Sequence, residues 1–189
     1  MNKRLVLASK SPRRAEIMKM VFGDFDIRVS DANENYDSSL SIDSVPQLLA
    51  TRKARAVELS ENEIVIGCDT VVIYENKLLG KPKDDDEAIK MLELLNGTAH
   101  RVISGLCVKS ADKEYATSVI TTVVFRHLEK EEIVKYVTAC HPTDKAGAYG
   151  IQEMAGAFVK EIQGDFYNVV GLPVSTLCEI LRDEFGYKE

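Results

Sequence analysis

Three observations predict an α/β fold with a mixed sheet. Short apolar or β-branched runs alternate with segments whose apolar residues recur at helical spacing. No linker, internal repeat or low-complexity tract interrupts that alternation over the 189 residues. The composition, 45% hydrophobic and 29% charged with 11 Gly and 5 Pro, is that of a chain able to bury a core rather than of a disordered or fibrous one. Strands and helices that interleave in this way form a sheet with helices packed on it, here expected as one domain over residues 1–189.

Taken in order, Leu5–Ala8 reads as a short buried strand. The turn Ser9-Lys10-Ser11-Pro12 leads into a helix with Ser11 as N-cap and Pro12 at the first helical position. Ile17, Met18, Val21 and Phe22 give that helix its apolar face. Ile27–Val29 is a weaker strand, and the polar, acidic residues 30–43 read as a loop. A second helix starts near Ser44 and carries Val45, Leu48, Leu49, Ala56 and Leu59. The apolar run Ile64–Cys68 reads as a short buried strand, followed by Asp69-Thr70 and a second β-rich run, Val71–Tyr74. Glu75-Asn76-Lys77 forms a hairpin turn. Asp84–Glu87 open a third helix, with Ala88, Met91, Leu92 and Leu95 at i, i+3, i+4, i+7. Two long β segments, 101–109 and 115–126, precede a helix with Ile133, Tyr136, Val137 and Cys140 on one face. A glycine-punctuated stretch at 146–156 leads to a strand near Ala157–Ile162, and a helix from Pro173 closes the chain.

Composition excludes several functions. No run approaches the ~20 apolar residues that span a bilayer. The apolar residues after Lys3 and Arg4 end at Ala8, short of the roughly 7–15 of a signal peptide core. Cys68, Cys107, Cys140 and Cys178 are far apart and show no zinc-ligand spacing, so they read as reduced thiols of a cytoplasmic protein. The net charge of −6 disfavours a nucleic-acid surface, which needs clustered Lys and Arg. Phosphates, if handled, are handled locally.

The candidate chemistry sits at a few places. The turn with Ser9, Ser11, Arg13 and Arg14 joins a strand end to a helix start, where free N–H groups favour an anion. Two cations in a helix's first turn oppose the macrodipole unless an anion is bound. The alternative is that both arginines face solvent or pair with carboxylates. Asp69 follows five apolar residues and is expected at the carboxyl end of a buried strand, where α/β proteins place ligands. It is read as a metal ligand or general base, or else as a turn aspartate bonding Thr70 or Val71 amides. Lys53 is bracketed on its helix by apolar residues and reaches into a cleft or snorkels, and Arg52 has nearly as good a claim. Lys81, between Gly80 and Pro82, sits in a restricted loop. Asp31, Glu34 and Asp37 read as solvated, and Asp84–Glu87 as helix N-terminal charge. His100, His127 and His141 show no ligand spacing. The segment Asp144–Gln152 places glycines around Gln152 and suits either a flat ligand or a tight turn. Gly67 stands where a DxDx[TV] phosphatase pattern needs Asp, and Gly80-Lys81-Pro82 lacks the rest of a P-loop.

Together these pieces resemble the Maf family of nucleoside triphosphate pyrophosphatases. The matching fragments are LASKSPRR at 7–14, Glu34, LLATRKARA at 48–56, IGCDTVV at 66–72, LGKP at 79–82, DKAGAYGIQ at 144–152 and NVVGLP at 168–173. The resemblance implies an elongated, twisted mixed sheet flanked by helices, with two lobes around a cleft, similar to the inosine triphosphate pyrophosphatase fold. It also implies hydrolysis between the α and β phosphates with Mg²⁺ or Mn²⁺. Asp69 matches the family's proton acceptor and Glu34 its acidic partner near the metal. Ser9, Arg13, Lys53 and Lys81 match residues lining the triphosphate. Arg13, Thr70 and Gln152 match the positions that set the branch acting on dTTP and UTP, house-cleaning of modified pyrimidine triphosphates included. A homodimer is what the family suggests. Two residues depart from its pattern: Cys68 stands where Ala is usual, and Glu153 where Gly is. The alternative function is a non-catalytic nucleotide-binding regulator of cell division.

Overall fold

The structure is a computed structural model describing residues 3–29 and 31–188; residue 30 of the predicted acidic loop lies outside them. In chain order the elements are β1 (Arg4–Leu7), α1 (Pro12–Phe22), β2 (Asp26–Ile27), α2 (Val45–Arg55), β3 (Glu63–Tyr74) and β4 (Lys77–Leu79). Then come α3 (Asp85–Leu95), β5 (Ala99–Lys109), β6 (Glu114–Phe125), α4 (Lys130–Cys140), β7 (Val159–Gln163), α5 (Phe166–Val170) and α6 (Val174–Phe185). Short 3₁₀ turns lie at Ile42–Ser44, Ala146–Ala148 and Met154–Phe158. The strands form a seven-stranded mixed sheet in the order β2-β1-β3-β5-β6-β7, with β4 beside β3. β1 pairs in parallel with both β2 and β3, while β3–β4 and β6–β7 are antiparallel. The predicted mixed α/β class is therefore the observed one.

The chain divides into two compact units: residues 1–70, 104–119 and 171–189 form the first, and 71–103 with 120–170 the second. In the first unit, Val6, Ala8, Ala50, Ala54, Val57, Val65 and Cys107 pack into one buried cluster. Two glycines allow this packing. A Cβ on Gly67 would lie 2.2 Å from the Ala50 carbonyl oxygen, and one on Gly105 would lie 2.1 Å from the Pro46 carbonyl. The backbone of α2 therefore rests directly on β3 and β5.

The second unit centres on an aromatic cluster in which Phe125 meets His100, Tyr149 and Phe158 edge to face. β3 and β4 join through a two-residue hairpin, with Glu75 and Asn76 at φ 46° and 59° as a primed turn requires. α3 begins as predicted: the Asp84 side chain accepts from Glu87 N at 2.8 Å, and Ala88, Leu92 and Leu95 are fully buried.

Several boundaries differ from the sequence reading. Ile64–Cys68 and Val71–Tyr74 are one continuous strand, β3, so Asp69 lies in mid-strand and not at a carboxyl end. Val72, Ile73 and Tyr74 prolong the strand by pairing with β4, Val72 opposite Leu79, and the β-branched and aromatic side chains suit it. α2 stops at Arg55, leaving Ala56 as its C-cap and Leu59 beyond it. Ala157 and Phe158 belong to a 3₁₀ turn rather than to β7. The five-residue α5 has too little periodicity to read; Asp165 Oδ1 starts it by accepting from Tyr167 N at 2.7 Å.

His100 is buried in the second unit, its Nε2 2.8 Å from the Tyr149 hydroxyl. Burial pulls its pKa down to about 4. The unfolded chain, with an ordinary imidazole, binds the proton first as pH falls, so this contribution is complete above pH ~6.5 and lost on the way to pH ~4. Urea unfolding is expected to show about 2 kcal/mol lost between pH 7 and 5 through His100. His100→Gln should lack that component; an identical pH slope in the variant would contradict it.

Candidate active site

Ser9, Ser11, Arg13, Arg14, Glu34, Lys53, Asp69 and Thr70 all belong to the first unit. Ser9 follows β1, and its hydroxyl accepts from Ser11 N at 3.2 Å. Ser11 is the N-cap of α1 by position, although its side chain makes no capping bond, and Pro12 opens the helix as predicted. Arg13 is half-buried in the first turn.

Arg14 has an internal task. Its Nε donates to Gly171 O at 2.8 Å, one terminal nitrogen to Ser9 Oγ at 3.1 Å and Cys68 O at 2.8 Å, and the other to Thr70 Oγ1 at 3.1 Å. Four of the five N–H groups of a guanidinium are used in this way. The partial negative charge that balances Arg14 thus comes from two carbonyls and two hydroxyls, neither from solvent nor from a carboxylate. Because Cys68 and Thr70 flank Asp69, the contacts fix the strand on both sides of the carboxylate. The Thr70 hydroxyl also lies 2.8 Å from Ser104 Oγ and donates to Gly171 O at 3.2 Å. Gly171 sits at φ +125°, a conformation that favours glycine.

Lys53 projects from the last turn of α2. Its Nζ lies 2.6 Å from Asp69 Oδ1 and 2.9 Å from Glu34 Oε1. The Lys53 and Asp69 side chains are only 17% and 14% exposed, whereas Glu34 is 67% exposed. Burial by itself pushes the Lys53 pKa down, but the attraction and hydrogen bonds of Asp69 and Glu34 outweigh it and leave the ammonium's pKa raised. The solvated reading of Glu34 holds for its exposure and misses this partner. Arg52, the rival on the same helix, reaches the Asn33 and Asn35 carbonyls. Periodicity could not choose between the two cations because both contact the same loop.

Lys81 and Gln152 belong to the second unit and are both exposed. Gly147 N donates to Gly80 O at 3.0 Å, tying the Lys81 loop to the segment that leads to Gln152. Gly147 and Ala148 both have positive φ, 68° and 62°. Next to Gln152, Glu153 lies 3.3 Å from the nearly buried Lys145 ammonium, which also holds Asp144 at 2.7 Å. A tight turn is thus part of this segment's role.

Sequence reasoning missed Ser104 and Gly171 as neighbours of Thr70. A polar residue inside the apolar run 102–108 was a readable signal for Ser104; the contact of Gly171, 101 residues from Thr70, was not. Among the described residues no group of three or more His, Cys, Asp or Glu side chains converges. The donor set on hand is the Glu34 and Asp69 carboxylates. Two carboxylates fit Mg²⁺ or Mn²⁺, hard cations that take their remaining ligands from water and phosphate oxygens.

Comparison with known proteins agrees with this architecture. A family model described as Maf-like protein matches residues 4–184. The chain belongs to the Maf-like family. It is 46% identical over 187 residues to a protein of Alkaliphilus oremlandii named dTTP/UTP pyrophosphatase, covering 97% of each chain. Proteins of the same name from Clostridium novyi and Bacillus cereus are 46% and 44% identical, each over 95% of this chain and 97% and 95% of their own. Among solved structures, the Staphylococcus aureus Ham1 protein aligns with a TM-score of 0.54 at 16% identity, over 96% of this chain and all of its own. That likeness concerns the fold, and it agrees with the fold implied by the Maf resemblance.

Removing the Lys53 cation leaves Asp69 poorly solvated and without this counter-charge. Lys53→Met is expected to lower unfolding free energy by about 3 kcal/mol, and adding Asp69→Asn should restore part of it. Urea denaturation of the parent and both variants checks this; a Lys53→Met variant as stable as the parent would contradict the pairing.

Proposed function

We propose that this Maf-like protein hydrolyses nucleoside triphosphates at the α–β phosphate bond, giving the monophosphate and pyrophosphate, with dTTP and UTP as preferred substrates. The observation that carries the chemistry is the Lys53 ammonium holding the Asp69 and Glu34 carboxylates together. The names of the relatives at 44–46% identity support the substrate class. A non-catalytic regulator has no comparable support.

In this reading Asp69 orients a water molecule and takes its proton as the oxygen attacks the α-phosphorus. The bond from the α-phosphorus to the bridging oxygen breaks, and pyrophosphate leaves with the bonding pair. Lys53, Ser9, Arg13 and Lys81 bind phosphate oxygens and offset the charge on the leaving group. Ser11 and Arg14 are assigned to the phosphates as well, Arg14 while also holding the strand on both sides of Asp69. Glu34 and Asp69 would hold Mg²⁺ or Mn²⁺, which when bound neutralises phosphate charge and acidifies a coordinated water.

Base preference is assigned to Arg13, Thr70 and Gln152. An amide such as Gln152 offers both the donor and the acceptor that the O4 and N3–H edge of uracil or thymine requires. The Thr70 hydroxyl already bonds Arg14, Ser104 and Gly171, so its part in selection runs through the shape of the strand it helps to hold. Among the described residues no helix is long and apolar enough to cross a membrane. The four free thiols support a cytoplasmic setting.

Turnover of a triphosphate panel, with pyrophosphate and orthophosphate measured separately, tests the proposal. Pyrophosphate is expected chiefly from dTTP and UTP, lost with EDTA and restored by Mg²⁺ or Mn²⁺. Asp69→Asn should lower kcat by about 10³-fold while remaining folded. Near-parental turnover in that variant, or orthophosphate as the main product, would contradict the assignment.

A further inference from the structure

The segment that carries Glu34 has little regular structure of its own. Residues 31–37 form no helix or strand, and residues 33–41 are all exposed. Three of its hydrogen bonds close small turns: Asn35 N to Asn33 Oδ1 at 2.9 Å, Ser39 N to Asp37 Oδ1 at 2.9 Å, and Leu40 N to Asp37 O at 3.0 Å. None of these aims the Glu34 carboxylate at anything.

Arg52 supplies the aim. One terminal nitrogen of its guanidinium donates to Asn33 O at 3.1 Å and also to Asn35 O. Those two carbonyls stand on either side of Glu34, whose carboxylate reaches Lys53 Nζ at 2.9 Å. Arg52 and Lys53 are consecutive in the last turn of α2. A single helix end therefore holds the loop twice, by its backbone through Arg52 and by its acidic side chain through Lys53. An exposed carboxylate–lysine contact contributes too little to order several loop residues unaided. Two charge-assisted bonds to the flanking carbonyls add the missing restraint.

We propose that Arg52 is a positioning residue for the reaction: it fixes the backbone around Glu34 so that this carboxylate stays beside Lys53 and Asp69. The inference rests on the hydrolytic reading above and goes beyond it, because Arg52 touches neither Asp69 nor a phosphate site and acts through Glu34. The plainer role of an arginine at a helix C-terminus is favourable charge against the helix dipole. That role affects stability alone and does not depend on Glu34.

A double-mutant cycle separates the two. Arg52→Met keeps the apolar stem and removes the donors, and Arg52→Lys keeps a cationic nitrogen able to bond both carbonyls. In assays of dTTP hydrolysis, Arg52→Met is expected to lower kcat/KM about 10- to 100-fold, and Arg52→Lys to recover most of that loss. In a Glu34→Ala background Arg52→Met should cost almost nothing further, since the group it positions is gone. Hydrogen exchange of the parent protein and Arg52→Met should show faster exchange at residues 33–35 in the variant, with the thermal midpoint little changed. Losses that simply add in the double variant, or an Arg52→Met enzyme within about twofold of the parent, would overturn the proposal. A Glu34→Ala enzyme with parental turnover would also overturn it. Failure of the hydrolytic reading itself looks different: the parent protein then releases no pyrophosphate at all.

Discussion

Helix α2 lies against β3 and β5 with no room for one methyl group, and the first unit's chemistry depends on that contact. Gly67 and Gly105 remove the Cβ atoms that would meet the Ala50 and Pro46 carbonyls. Ala50 and Ala54 keep the helix face small where it touches the strand. Gly67 is two residues before Asp69 and Ala54 is next to Lys53, so the close approach of backbones also sets the approach of the ion pair. A bulkier seam would move Lys53 away from a carboxylate that is only 14% exposed, and interiors this tightly packed transmit such shifts rather than absorb them.

The same region solves a charge problem by two clamps of similar design. Arg14 fixes the strand around Asp69 through Cys68 O and Thr70 Oγ1, and Arg52 fixes the loop around Glu34 through Asn33 O and Asn35 O. In each case a guanidinium grips neutral atoms flanking an acidic residue and leaves the carboxylate itself to Lys53. A direct arginine–carboxylate bond would occupy the oxygens that a general base or metal ligand must offer. Lysine, a compact point charge, holds both carboxylates while leaving oxygen positions for other partners.

Much of this was legible in the chain. Ser11-Pro12 and Asp84 mark two helix starts, and a carboxylate after five apolar residues marks Asp69 as a group requiring a partner. What could not be read is what long-range contact decides. The run Val71–Tyr74 looks like a new strand because Asp69 and Thr70 read as a turn; they persist in mid-strand because Lys53 and Arg14 partner their side chains. Arginines in a first turn suggest an anion, but the acceptors of Arg14 include carbonyls 54 and 157 residues away. Helical periodicity could not choose between Arg52 and Lys53, and the structure gives each of them a separate grip on the loop.

In the proposed reaction Asp69, held by Lys53, directs water onto the α-phosphorus of a nucleoside triphosphate. The most direct measurement is turnover of dTTP with Mg²⁺ in ¹⁸O-labelled water, followed by mass analysis of both products. Attack at the α-phosphorus places the label in the monophosphate and none in the pyrophosphate. Label in the pyrophosphate, or products free of label, would contradict it.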